Sequence, residues 1–168
     1  MFRLAGIGAG SFDPLRTFYS RRIGKAVAGE PIPILSGLKM TTRSGSGSLG
    51  ALAAYTDRLE DSTGVLEPRR GFAVLSGRAR LPDATRVGAL FSGTVADADD
   101  YNYALAGDWG FQSGPNRGAI EAALSDHSGR LGWAVNSGYS GFIGNFMTWA
   151  EVQVIDDSFS VGDIGYVP

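Results

Sequence analysis

From residue 31 onward apolar and polar positions alternate with a period of two, most cleanly over residues 101–112, YNYALAGDWGFQ. Tyr101, Tyr103, Leu105, Gly107, Trp109 and Phe111 fall on one parity, and Asn102, Ala104, Ala106, Asp108, Gly110 and Gln112 on the other. Successive side chains of a β-strand point to opposite faces, so this stretch predicts a strand with one aromatic, apolar face and one small, polar face. Its length exceeds the roughly 5–6 residues of an ordinary soluble strand and matches the roughly 9–11 that a tilted strand needs to cross a bilayer.

The same alternation predicts about eight strands. Ile32, Ile34, Leu38 and Met40 oppose Lys39, Thr41 and Arg43; after the SGSG turn at 44–47, Leu49, Ala51, Ala53 and Tyr55 oppose Ser48, Gly50, Ala54 and Thr56. Residues 57–70, polar and carrying Gly64 and Pro68, read as a loop. Ala73, Leu75, Ala79 and Leu81 then oppose Arg78 and Arg80, with Phe72 and Val74 on the arginine side. Val87, Ala89, Phe91 and Val95 oppose Arg86, Ser92 and Thr94, and the acidic turn 97–100 leads into the 101–112 strand. Beyond the SGPN turn, Ile120, Ala122 and Leu124 oppose Glu121, Ser125 and His127, and Ser128-Gly129 closes a tight hairpin. Leu131, Trp133, Val135 and Tyr139 oppose Arg130, Asn136 and Ser140; Phe146, Thr148, Ala150, Val152 and Val154 oppose Asn145, Glu151 and Gln153. Short connections make the expected architecture an all-β antiparallel meander, a segment of a transmembrane β-barrel or, alone, a curved open sheet. Residues 1–30 read as irregular, 31–157 as the barrel segment, and 158–168 as a C-terminal loop or the start of a further strand.

Charge placement sharpens the picture. Lys39, Arg43, Arg78, Arg80, Arg86, Asp108, Glu121 and Glu151 all lie on the polar parity, as expected of lumen-facing positions, since a cation on the lipid face at mid-membrane costs about 2–4 kcal/mol. Tyr55, Phe91, Tyr101, Tyr103, Trp109, Phe111, Trp133, Tyr139 and Phe146 lie on the apolar parity as lipid-facing or girdle aromatics. A soluble sandwich core excludes charge equally well, but the Ala- and Gly-rich apolar face suits acyl chains better than a close-packed second sheet. The uncharged run 131–150 is long enough for a membrane helix, yet its four glycines and its Asn and Ser residues make a poor one.

The 168 residues carry a formal charge of −2, which supplies no basic field for nucleic acid. No cysteine is present, so no disulfide or thiolate site exists. The lone His127, with Ser125 or Ser140 and Asp108 or Glu121, makes a poor triad, and no spacing gathers metal ligands. Asp108, Glu121 and Glu151 have the chemistry of paired glycosidase carboxylates, but their expected role is to balance Arg78, Arg80, Arg86 and Arg130 across the polar face. The GIGAGS run at 6–11 lacks the third glycine and following helix of a dinucleotide loop. The basic cluster Arg16, Arg21, Arg22 and Lys25 reads as a solvated loop, with phosphate or lipid-headgroup contact the sharper alternative. No enzyme activity, cofactor or metal is expected.

Three motifs carry a family resemblance: Phe18-Tyr19-Ser20-Arg21-Arg22-Ile23-Gly24, Pro31-Ile32-Pro33-Ile34-Leu35-Ser36-Gly37-Leu38-Lys39, and SLGALAAYTD at 48–57. With the later strand order through Asp108 to Gly165-Tyr166-Val167, the chain resembles the uncharacterised outer-membrane barrel region that follows a family-9-like carbohydrate-binding module in many Gram-negative, especially Bacteroidetes-type, proteins. That family carries an N-terminal module and signal sequence, and its barrel continues beyond the point matching Pro168. The resemblance implies an outer-membrane location and an internal fragment of a larger barrel with a structural, transport or surface-anchoring role. Its implied partners are the lipid bilayer, the remaining strands of the barrel, and carbohydrate through the separate module. The alternatives are a soluble all-β carbohydrate-binding module stacking sugars on Trp109, Trp133 and Trp149, although parity splits those three, and a glycoside-hydrolase-associated domain.

Overall fold

The computed structural model describes residues 23–24, 27 and 29–161. The GIGAGS run, the cluster Arg16, Arg21, Arg22 and Lys25, most of the first family-like motif, and Gly165-Tyr166-Val167 lie outside them. Ten strands follow one another: β1 (Ile34–Arg43), β2 (Gly47–Thr56), β3 (Leu59–Asp61), β4 (Gly64–Glu67), β5 (Arg70–Arg80), β6 (Arg86–Val95), β7 (Tyr101–Ser113), β8 (Asn116–His127), β9 (Arg130–Ile143) and β10 (Phe146–Ile155). Eight of them form a single antiparallel sheet in the order β1-β2-β5-β6-β7-β8-β9-β10, open at both edges, as expected of a curved sheet that has not closed into a barrel. No described helix is long and apolar enough to cross a membrane, and the run 131–150 is strand, turn and strand.

The hairpins follow from their turn residues. Ser128 and Gly129 both take positive φ, 49° and 84°, the paired left-handed conformation of a type I′ turn whose twist matches the flanking strands. The longer β6–β7 turn is held by Asp97, whose Oδ1 accepts from the backbone N–H groups of Asp99 and Asp100 at 2.8 Å each.

Two elements differ from the sequence expectation. Within the loop of residues 57–70, β3 and β4 pair as a small separate hairpin, and Arg70 already belongs to β5. Asp61 makes that possible by accepting from the backbone N–H of Thr63 at 2.6 Å, a local turn that counting alternation does not register. A bulge between Ile34 and Ser36 sets Ile34 opposite Thr56, out of step with Leu38 and Met40, so it does not share their face. After β10, residues 156–161 turn across the sheet. Ser158 N–H donates to Asp156 Oδ1 at 2.9 Å, Ser160 N–H donates to Ser125 Oγ at 3.0 Å, and Phe159 and Val161 are buried.

The buried apolar cluster lies on one face of the sheet. Phe72, Val74, Leu90, Ala104, Ala106, Ala123 and Ala134 meet Phe159 and Val161, with Ile23, Leu52, Ala54 and Ile155 packed around them.

Candidate functional site

The register fixes which side chains share a face. Directly opposed residues point the same way, so the pairs Ala106↔Leu90, Ala106↔Ala123 and Ala123↔Ala134 define an inner face, and Leu105↔Phe91, Leu105↔Leu124 and Leu124↔Trp133 an outer one. Large apolar side chains stand exposed on the outer face: Leu75 is 57% exposed, Leu105 55% and Leu124 61%. On the central strands β7 and β8 the inner face is buried although it holds polar groups, with Asn102 at 0%, Glu121 at 4% and Asp108 at 7%. This is the reverse of a water-soluble sheet packed on its greasy side.

Along the outer face of the main sheet the only charged residue is Asp126, opposite Leu131 near one end. Aromatics gather toward both ends. Tyr101 and Tyr103 stack at 5.2 Å with Phe91 beyond at 6.1 Å, and Trp109 lies 5.5 Å from Phe111 toward the other end. The separation from Tyr103 to Phe111 is about 27 Å along the strand, or about 20 Å of height at a 40° tilt. Tyr55 opposes Gly71 at the first end. Tyr139 and Phe146 lie at the second, where the Tyr139 hydroxyl donates to Asn116 Oδ1 at 3.2 Å. Phe91 and Trp133 sit further in, on the Leu105 row. Trp109 and Trp133 are on the outer face and Trp149 on the inner, so the three form no common sugar platform.

On the inner face one transverse row runs Arg43, Ser48, Arg78, Gly88, Asp108, Glu121, Asn136, Gln153 across all eight strands. The neighbouring row carries Arg80, Arg86, Gly110, Ala119, Gly138 and Glu151. Lys39, opposite Leu52, belongs to the same face. Every candidate charged residue therefore lies on this side, but the charges are segregated: cations on β1, β5 and β6, carboxylates on β7, β8 and β10. Among the described residues no ion pair joins Arg43, Arg78, Arg80 or Arg86 to a carboxylate.

Asp108 and Glu121 are direct cross-strand partners. The Asp108 carboxyl group leans the other way, over Gly88, into space a Cβ at residue 88 would need. No group of three or more potential metal ligands occurs among the described residues. The middle of the inner face is apolar, filled by Val74, Leu90 and the alanines beneath Phe159 and Val161, so its polarity is banded rather than uniform.

Alternation alone does not reveal Arg70. Its guanidinium grips Asp100 through two hydrogen bonds, 3.0 and 2.7 Å, and also donates to Thr94 Oγ1 and Glu67 Oε1 at 3.1 Å each. With 11% of its side chain exposed, it ties β5, β6 and the β6–β7 turn together. Its signal in the sequence is only an arginine at a strand start facing an acidic turn.

No protein-family model, curated protein or solved structure matches this chain.

Proposed function

We propose that this chain is a sector of a bacterial outer-membrane β-barrel, non-catalytic, with its outer face against lipid acyl chains and its inner face lining or plugging the barrel interior. The observation that carries this reading is the inversion of burial: leucines and tryptophans stand exposed on a nearly uncharged face, while Asn, Asp and Glu are buried on the other. Apolar surroundings such as acyl chains make that distribution favourable, because each fully exposed Leu or Phe forgoes about 1.5–3 kcal/mol in water. The near 20 Å spacing of the aromatic bands agrees with an apolar belt roughly 25 Å tall. Among the described residues, edge strands β1 and β10 each pair on one side only, and in hydrocarbon every unpaired backbone group costs several kcal/mol. Further strands of the same barrel are therefore the partners of these edges. A role in carbohydrate uptake or processing belongs, on the family resemblance, to a separate module.

Depth-dependent substitution tests the reading. In vesicle-reconstituted protein, Leu105→Arg, on the central outer row, is expected to lower the unfolding free energy by about 2–4 kcal/mol, and Leu131→Arg, near the strand end, by about 0–1 kcal/mol. Equal and negligible effects at both positions would mean that water covers the outer face.

A further inference from the structure

We propose that the arginine-lined pocket beside the β1–β2 turn is a binding site for a phosphate-type oxyanion. This goes beyond the barrel reading and does not depend on which medium meets the outer face. The cavity, about 320 Å³, is lined by Arg43, Arg78, Arg80 and Arg86 together with Ser46 and Ser48 of the hairpin. Register brings the four guanidinium groups together: Arg43 and Arg78 both flank Ser48, and Arg80 is directly opposite Arg86. Two like charges placed directly across a β-ladder repel one another, and four around one cavity do so more strongly unless an anion lies between them.

No ion pair among the described residues places an anion between these four. Arg78 Nη2 is buried without a hydrogen-bond partner, and none of the four forms an ion pair among the described residues. The acid of the adjacent β5–β6 turn is otherwise engaged: Asp83 accepts from the Thr85 N–H at 3.1 Å. Guanidinium groups bind phosphate oxygens through paired, charge-assisted hydrogen bonds, and a cluster of four favours a ligand with more than one negative charge. Phosphate esters in solution and phosphate headgroups of lipids share this chemistry.

The test is calorimetric titration of the full chain, held monodisperse in an uncharged detergent, with sodium pyrophosphate in one arm and with mixed micelles containing phosphatidic acid in the other. Saturable binding of pyrophosphate assigns the site to soluble phosphates, and binding only in the phosphatidic acid arm assigns it to headgroups. In either case Arg78→Gln and Arg80→Gln should each weaken binding at least tenfold, and Arg58→Gln, outside the pocket, should leave it unchanged. Arg80 is exposed at its strand end, so its variant keeps the test independent of folding. No saturable binding in either arm, or equal affinity in Arg78→Gln, Arg80→Gln and the parent, would overturn the proposal.

Discussion

At the scale of single residues, the glycines of the sheet are read most directly through what lies over them. A Cβ at Gly93 would fall 2.6 Å from Tyr103 Cδ1, and one at Gly118 would collide with the Phe111 ring, so each aromatic lies across a glycine on the neighbouring strand. This covers a bare backbone with a ring and fixes the ring's direction along the outer face. On the inner face Gly132 plays the same part for backbone, because a Cβ there would strike the Phe159 main chain. Gly132→Ala is therefore expected to lift residues 156–161 off the sheet at a cost of about 1–3 kcal/mol. Faster hydrogen exchange at Ser160, whose N–H otherwise donates to Ser125 Oγ, is the measurement that checks it. Unchanged protection there would show that the segment rests on other contacts.

At the scale of elements, alternation made the eight long strands legible because a two-residue period maps directly onto two faces with different surroundings. What escaped it has no period. The β3–β4 hairpin depends on Asp61 folding back on Thr63, the Ile34 bulge on one unpaired residue, and the 156–161 segment on Phe159 and Val161 finding a surface made by β8 and β9. The inner charged positions were legible by parity, but the segregation of their signs depends on pairing order, which a single strand does not contain. The β2–β5 connection also gives a titration prediction. Asp57 accepts from the Arg69 guanidinium at 3.0 Å and from the Arg58 N–H at 2.9 Å, which hold its carboxyl below the ordinary value of 3.8; hydrogen bonds from Thr63 do the same for Asp61. A carboxyl whose folded pKa lies below its unfolded one contributes its full stabilisation above the unfolded pKa and loses it as pH falls through the folded value. The connection should thus keep these contacts from neutral pH down to about pH 4 and release them in stronger acid. In a carboxyl-carbon NMR titration, Arg69→Ala should move the Asp57 midpoint upward and leave that of Asp61 in place; an unmoved Asp57 midpoint would show that Arg69 does not set it.

At the scale of the whole molecule, the sheet presents an outer face of exposed apolar side chains, an inner face that carries the charged residues and, among the described residues, two unpaired edges. Folding in water would leave the outer leucines and tryptophans hydrated, whereas folding in lipid satisfies them but demands strands alongside β1 and β10. The two faces meet most sharply on β7, where exposed Tyr103, Leu105 and Trp109 alternate with buried Ala104, Ala106 and Asp108. The chain has no native cysteine, so single cysteines placed along β7 can carry nitroxide labels without competition. Collision of each label with oxygen, which partitions into lipid, and with a nickel chelate, which stays in water, measured from 103 to 109 in bilayers, tests the central claim most directly. Odd positions are expected to show high oxygen and low nickel accessibility, with even positions protected from lipid. Nickel accessibility at 105 and 109 as high as in a soluble loop would contradict contact between the outer face and hydrocarbon.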